Sequence, residues 1–285
     1  MPDQPLPAPP QGGAVETAGC AASGAPAVLA GVGNVSGGES SVAGAPQGAA
    51  GLMTFDGGLP VGCNWTHSAD DTWSMNAPAS DKEVLFDGSD LSQWHRLNQP
   101  TTPAQWNVLP GGMMEVVPQA TPTNIQSNAK FDDVCLHVEY WTPAYGSGVG
   151  VQMQGNSGVY LRSAYELQVL DTSQLGPLID GCGAVYKVSA PLVVACTPHE
   201  TWNTYEIEFK AAIWDTNAPP KKTKDAVLVQ AALNGQLVQR NVILNPPGGA
   251  TEAGIPDVAG PQPLALQDHR ERVRYRNIWA TVPRY

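Results

Sequence analysis

The sequence predicts an all-β protein, a two-sheet antiparallel jelly-roll sandwich preceded by an extended low-complexity N-terminal arm. Three observations carry this reading. Charged residues make up only 14% of the 285, and Gly (30) and Pro (26) together approach a fifth, a profile that starves helices of their usual residues. From residue 83 onward the hydrophobic period is 2, and no segment sustains a period of 3.6. Many short runs of this kind, broken by Gly and Pro, are the pattern of two stacked sheets.

The arm comes first. Gly, Ala, Ser and Pro supply 45 of the first 81 residues, and no Lys or Arg occurs there, while seven acids stand alone. Residues 1–81 are therefore read as the arm and residues 82–285 as the jelly-roll domain. Such a stretch cannot bury enough apolar surface to offset its chain entropy. Small side chains and the lack of Lys and Arg, which usually guard against edge pairing, suit docking in a groove or on a sheet edge of a neighbouring protomer. Head-to-tail docking of that kind propagates into a homo-oligomer or filament. The arm could instead wrap its own domain or form a glycosylated stalk. Two Asn-x-Ser/Thr sequons lie in it, at Asn34 and Asn64.

Along the domain, VCLHVEYW alternates Val134, Leu136, Val138 and Tyr140 with Cys135, His137, Glu139 and Trp141. In TYEIEFK, Tyr205, Ile207 and Phe209 alternate with Glu206, Glu208 and Lys210. AVLVQAALNGQLVQ is a hairpin with Asn234-Gly235 at its tip, because a type I′ turn needs positive φ at both central residues. RVRYRNIWATV is a last strand, with Arg272, Arg274 and Arg276 opposite Val273 and Tyr275.

Charge and cysteines bound the partners. The formal charge of −11 repels phosphate backbones and anionic lipid, so nucleic acid is excluded as a favoured partner, and no run approaches the length of a membrane span. None of the five cysteines sits in a CxxC. The expected bridges are Cys20–Cys63 and Cys182–Cys196 with Cys135 free, which with the sequons points to a secreted, extracellular or periplasmic protein. The start, MPDQPLPAPP, has neither a charged n-region nor an apolar h-region, so a signal peptide is expected to be absent from this numbering.

The residues that could carry chemistry stand out from this background. In YELQVL, Glu166 and Gln168 are two apart and share one strand face, opposite Tyr165, Leu167 and Val169. A carboxylate beside an amide suits sugar hydroxyls, although a solvated outer face would look the same. Arg162 joins them if 159–170 is one bent strand. If Ser163-Ala164 is a hairpin turn, Arg162 shares a face with Tyr165 instead. In LALQDHR, Gln267 and His269 share a face opposite Leu264 and Leu266, a pattern that also fits a structural histidine.

Seven ordered segments, among them VLFDGSDLSQWHRL (84–97), GNSGVYLRSAYELQVLDT (155–172), CGAVYKVSAP (182–191) and LALQDHRERVRYRNIW (264–279), resemble the 3-keto-disaccharide hydrolase family. The resemblance spans nearly all of 82–285 and implies a concanavalin-like jelly roll that cleaves glycosides oxidised at C3. A ketone acidifies the neighbouring C2–H, so the aglycone leaves by elimination and water then adds to the enone. The resemblance makes Glu166 and His269 the acid and base in either order. It makes Arg162, Gln168, Asp171, Lys187 and Gln267 candidates for binding the carbohydrate. Glu166 and His269 also offer mixed O/N ligands to a divalent metal, without a self-contained metal motif. The alternative from another class is a structural subunit of an extracellular filament with little or no catalysis.

Overall fold

A computed structural model describes residues 62–252 and 254–285. Eighteen strands run through them: β1 (Trp65–His67), β2 (Trp73–Met75), β3 (Glu83–Phe86), β4 (Trp94–Arg96), β5 (Gln99–Pro103), β6 (Asn107–Leu109), β7 (Met113–Glu115), β8 (Ile125–Phe131) and β9 (Val134–Trp141). There follow β10 (Ser157–Leu161), β11 (Tyr165–Val169), β12 (Trp202–Lys210), β13 (Ile213–Asp215), β14 (Lys221–Lys224), β15 (Ala226–Leu233), β16 (Gln236–Leu244), β17 (Gln262–Leu266) and β18 (Arg274–Thr281). One sheet has six strands in the order β11-β10-β17-β8-β4-β5. The other runs β16-β15-β12-β9-β18-β7-β6, with β3 also paired to β18. Every strand pair is antiparallel. This is the jelly-roll sandwich the sequence predicts.

Period-2 alternation decides what lies between the sheets. Val134, Leu136, Val138 and Tyr140 of β9 join Tyr205, Ile207 and Phe209 of β12 in one continuous core with Val159, Leu161, Tyr165 and Leu167 of β10 and β11. Their partners in the alternation, His137, Glu139 and Glu206 among them, face outward. At the β15–β16 tip, Asn234 (φ 51°) and Gly235 (φ 80°) both adopt the left-handed conformation that a type I′ turn requires. The indoles of the domain are mostly committed to the protein itself. Trp94 donates to the Leu85 carbonyl, Trp106 donates to the Thr123 carbonyl and stacks on Tyr275, and Arg274 and Arg276 cover Trp141 and Trp202.

Two expectations are corrected at the N-terminal side. Residues 62–81, assigned from composition to the arm, are part of the folded body. Cys63, Trp65, Trp73 and Met75 of the β1–β2 hairpin pack on Cys135, Val229, Ala232 and Trp279, on the outer face of the eight-stranded sheet. Trp65 Nε1 and the Gly62 N–H both donate to the buried Glu208 carboxylate, at 2.7 and 2.6 Å. Composition misses this because four anchoring side chains are diluted among polar neighbours.

The second correction concerns the cysteines. Cys63 is bonded to Cys135, with Cα atoms 5.7 Å apart, so Cys135 is not free and the Cys20–Cys63 bridge is overturned. Cys135 is an outward residue of β9, and the hairpin lies on that face. Cys182 and Cys196 are buried thiols that hydrogen-bond each other instead of the expected bridge. Cys20 and the sequon at Asn34 lie outside the described residues, whereas Asn64 is exposed beside β1.

The Cys63–Cys135 bond closes 72 residues of sequence separation. Replacing Cys63 with Ser should lower the unfolding free energy by about 2–4 kcal/mol in a denaturant titration. Non-reducing peptide mapping should recover peptides containing Cys63 and Cys135 as one linked species.

Candidate functional site

The six-stranded sheet positions the candidate residues on its outer face. Register places Tyr160 of β10 opposite Glu166 of β11 on one side and opposite Ala265 of β17 on the other. One step along, Gly158 stands opposite Gln168, and its carbonyl accepts the Gln267 N–H. Two adjacent transverse rows result: Glu166, Tyr160 and Ala265 in one, Gln168, Gly158 and Gln267 in the next. Directly opposed residues point to the same face, so the sandwich brings Glu166, Gln168 and Gln267 together.

Gly158 decides where the carboxyl goes. A Cβ at 158 would overlap Glu166 Oε1 and crowd its Cδ and Cγ. The missing side chain leaves a place over the strand that the Glu166 carboxyl occupies. Glu166 is only 2% exposed there. Gln267 donates from Nε2 to the Tyr160 hydroxyl at 3.0 Å. Gln168 donates from Nε2 to the Asp180 carbonyl at 3.2 Å and weakly to Gln152 Oε1. Beside the sheet edge, the Glu166 N–H donates to Thr251 Oγ1 and its carbonyl accepts the Tyr186 N–H.

Burial governs the protonation of this carboxyl. Desolvation pushes Glu166 up to about 8, the Tyr160 hydroxyl beside it works in the opposite direction, and the charge of Glu252 raises it further. Tyr160 is itself pushed well above its ordinary value by burial and then by Glu166. Glu166 is therefore mainly a neutral acid at pH 7, able to donate a proton. Two buried acceptors on these rows, Gln168 Oε1 and Gln267 Oε1, have no protein partner, and neither does the buried His269 Nδ1 beyond β17. Such atoms are costly to leave unpaired, and donors on a ligand would satisfy them.

The other sequence candidates separate cleanly. His269 lies three residues beyond the end of β17 and is half-buried, outside the two rows that hold Glu166, Gln168 and Gln267. Lys187 sits at the rim, where its ammonium pairs with Glu252. Arg162 and Asp171 are corrections. The β10–β11 connection is a tight turn, Leu161 pairing with Tyr165, and Arg162 takes positive φ in it. Its Nε donates to Asp257 (2.8 Å), Nη1 to Phe131 O and Asp132, and Nη2 to Val258 O and Gly260 O. That spends every N–H of the guanidinium on the protein. Tyr165 donates to the other oxygen of Asp257, so Arg162 and Tyr165 converge on one carboxylate. Asp171 accepts from Tyr145, the His199 N–H and Ser173, which ties down the adjoining loop. Burial raises the Asp171 pKa, but those hydrogen bonds outweigh it and hold it below the ordinary value.

Sequence reasoning missed Tyr160, Gly158 and Glu252. The register of the β10–β11 hairpin would have found the first two, since pairing Leu161 with Tyr165 puts Tyr160 opposite Glu166. Glu252 comes from a distant loop and left no local signal. The donor set does not suit a divalent cation: the neighbours of Glu166 are a phenol and two amides, and no cluster of three or more His, Cys, Asp or Glu among the described residues is arranged to hold a metal.

Residues 81–281 match the 3-keto-alpha-glucoside-1,2-lyase-like domain. The chain belongs to this family. A crystal structure of a candidate glycosyl hydrolase from Parabacteroides distasonis is similar at 31% identity and a TM-score of 0.61, over 73% of this chain and 86% of that one. A second candidate glycosyl hydrolase of the same organism, at 17% identity and a TM-score of 0.50, covers 71% of this chain and 94% of its own and shares the fold. No curated protein matches the chain. The matched residues hold the two large sheets, and the hairpin at 62–77 lies ahead of them.

Two outcomes follow from the geometry. A glutamate whose folded pKa lies above its unfolded value contributes stability that is complete below about 4.5 and lost as pH rises through about 8. Glu166→Gln removes that loss, so the melting temperature of the variant relative to the parent should rise between pH 5 and pH 9, by an amount equivalent to a few kcal/mol. Arg162→Ala strands Asp257 and should destabilise by about 3–5 kcal/mol in a denaturant titration.

Proposed function

We propose that this domain binds and cleaves glycosides oxidised at C3, with Glu166 as the proton-carrying acid. Removal of the proton at C2 forms the C1=C2 bond as the C1–O bond breaks, and the departing oxygen takes a proton. Water then adds to the enone to give the free 3-keto sugar. The observation that carries this reading is a carboxyl with a pKa of about 8 beside unpartnered acceptors, in a domain of the 3-keto-alpha-glucoside-1,2-lyase-like family. A neutral Glu166 suits donation to the glycosidic oxygen. Gln168 Oε1 and Gln267 Oε1 would accept sugar hydroxyls, and Tyr160, held by Gln267, keeps the acid in place. His269 is assigned as the base at C2, since its Nδ1 accepts nothing from the protein. Lys187 and Glu252 form the rim. The Cys63–Cys135 bond fits an oxidising compartment, secreted or periplasmic, and exposed Asn64 is the sequon to test for glycan.

Incubating the protein with a 3-keto-disaccharide should release the 3-keto sugar. Glu166→Gln should lower kcat by about 10²- to 10⁴-fold with KM little changed. The parent kcat should fall as pH rises through about 8, because the acid is then ionised. No turnover by the parent chain across pH 5–9 would remove the enzyme reading.

The second reading is a filament subunit assembled through the N-terminal arm, which the Lys- and Arg-free composition favours. In this reading the part of the arm ahead of the hairpin would dock on a neighbouring protomer. Sedimentation of the full chain should then show mass growing with concentration, and a monomer at every concentration would remove this reading.

A further inference from the structure

A depression lies at the opposite margin of the six-stranded sheet from Glu166. β4 and β5 meet there out of register, with His95 opposite Pro103 but Arg96 opposite Gln99. One step along β4 therefore corresponds to four along β5, and Pro100, Thr101 and Thr102 bulge from the edge. Neither Pro100 nor Pro103 has an N–H with which to close the ladder over the gap. A cavity of about 280 Å³ results, lined by His95, Asn128, Thr101 and both prolines over the buried Trp94. Bulges at sheet edges commonly re-aim side chains next to binding sites.

The lining has a definite chemistry. No Asp, Glu, Lys or Arg borders the cavity, so it offers nothing to a charged ligand. His95 Nδ1 lies 2.9 Å from Asn128 Oδ1, and Asn128 Nδ2 donates to the Ser92 carbonyl at 2.7 Å, which fixes both side chains. Among the described residues, His95 Nε2 and the Thr101 hydroxyl have no protein partner. Two hydrogen-bonding groups therefore face apolar proline rings across a space of one-ring size. That combination suits a neutral pyranose, whose C–H face packs while its hydroxyls bond.

The cavity is also aligned with the acid. His95 pairs with Gln126, Gln126 with Ala265, Ala265 with Tyr160, and Tyr160 with Glu166. Four inter-strand steps separate the two ends, about 19 Å. Gln126, Ala265 and Tyr160 between them are themselves buried, so a glycan joining the two ends would pass over the groups that cover this row. We infer that the β4–β5 cavity is a second sugar subsite, taking a distal neutral ring of a glycan whose reacting unit sits at Glu166. The inference rests on the glycoside reading of Glu166.

The test uses the isotope-labelled full chain with glucose, maltose and maltohexaose as probes, read by NMR. Maltohexaose should shift the signals of His95, Thr101 and Asn128 as well as the side-chain amides of Gln168 and Gln267. His95→Ala and Thr101→Val should each weaken maltohexaose binding about fivefold, the loss of one hydrogen bond, and leave maltose unaffected. Shifts at Gln168 and Gln267 with His95 and Thr101 unmoved would overturn the subsite and keep the glycoside reading. Shifts at the cavity alone would support the subsite and count against Glu166, and shifts at neither end would overturn both.

Discussion

A carboxyl held almost out of water with no cation beside it is the constraint around which the outer face of the six-stranded sheet is organised. Ionising such a group costs several kcal/mol unless a partner compensates. The two basic residues that could have done so are engaged elsewhere. Arg162 is spent on Asp257 and three carbonyls, and Lys187 on Glu252. What remains near Glu166 is a neutral phenol, two neutral amides and the like charge of Glu252, none of which compensates an ionised carboxylate. The acid is thus kept protonated by what the fold withholds from it, and Gly158 provides the space in which this happens.

The opposite sheet solves the burial of charge in another way. On its outer face His137 lies between Glu206, at 2.9 Å, and Asn277, at 3.0 Å, and stacks on Trp279. Glu139 pairs with Arg276, and Glu115 with Arg272 and Arg274. Glu115, Glu139 and Glu206 each have a cationic or imidazole partner, and Glu208 is met by the hairpin's N–H groups. This face meets most of its charge with its own groups, leaves Glu206 Oε2 and Gln230 Nε2 without a partner, and is closed in part by β1 and β2.

Local periodicity made much of this legible. The alternation in VCLHVEYW, TYEIEFK and YELQVL separated the face toward the core from the opposite face, although Cys135, His137, Glu166, Gln168, Glu206 and Glu208 on that opposite face are buried too, and the Asn-Gly turn set the β15–β16 register. Placing Glu166 and Gln168 on one face required only that their strand be straight. The failures share a physical origin. Arg162 sat in the same stretch, but a tight turn reversed the chain there and sent it toward a loop about a hundred residues away. Cys63 was paired by nearness in composition with Cys20, whereas its partner is set by the direction in which β9 turns Cys135.

The amino-acid sequence alone determined which side chains alternate, where the chain turns, and which family the domain joins, because these depend on neighbours a few residues apart. Only the tertiary structure decided that Tyr160 and Gln267 flank the acid, that Cys135 meets Cys63, and that Arg162 is absent from the site. Those outcomes depend on strands brought together across long separations, and on water excluded where they meet, which no short stretch of sequence records.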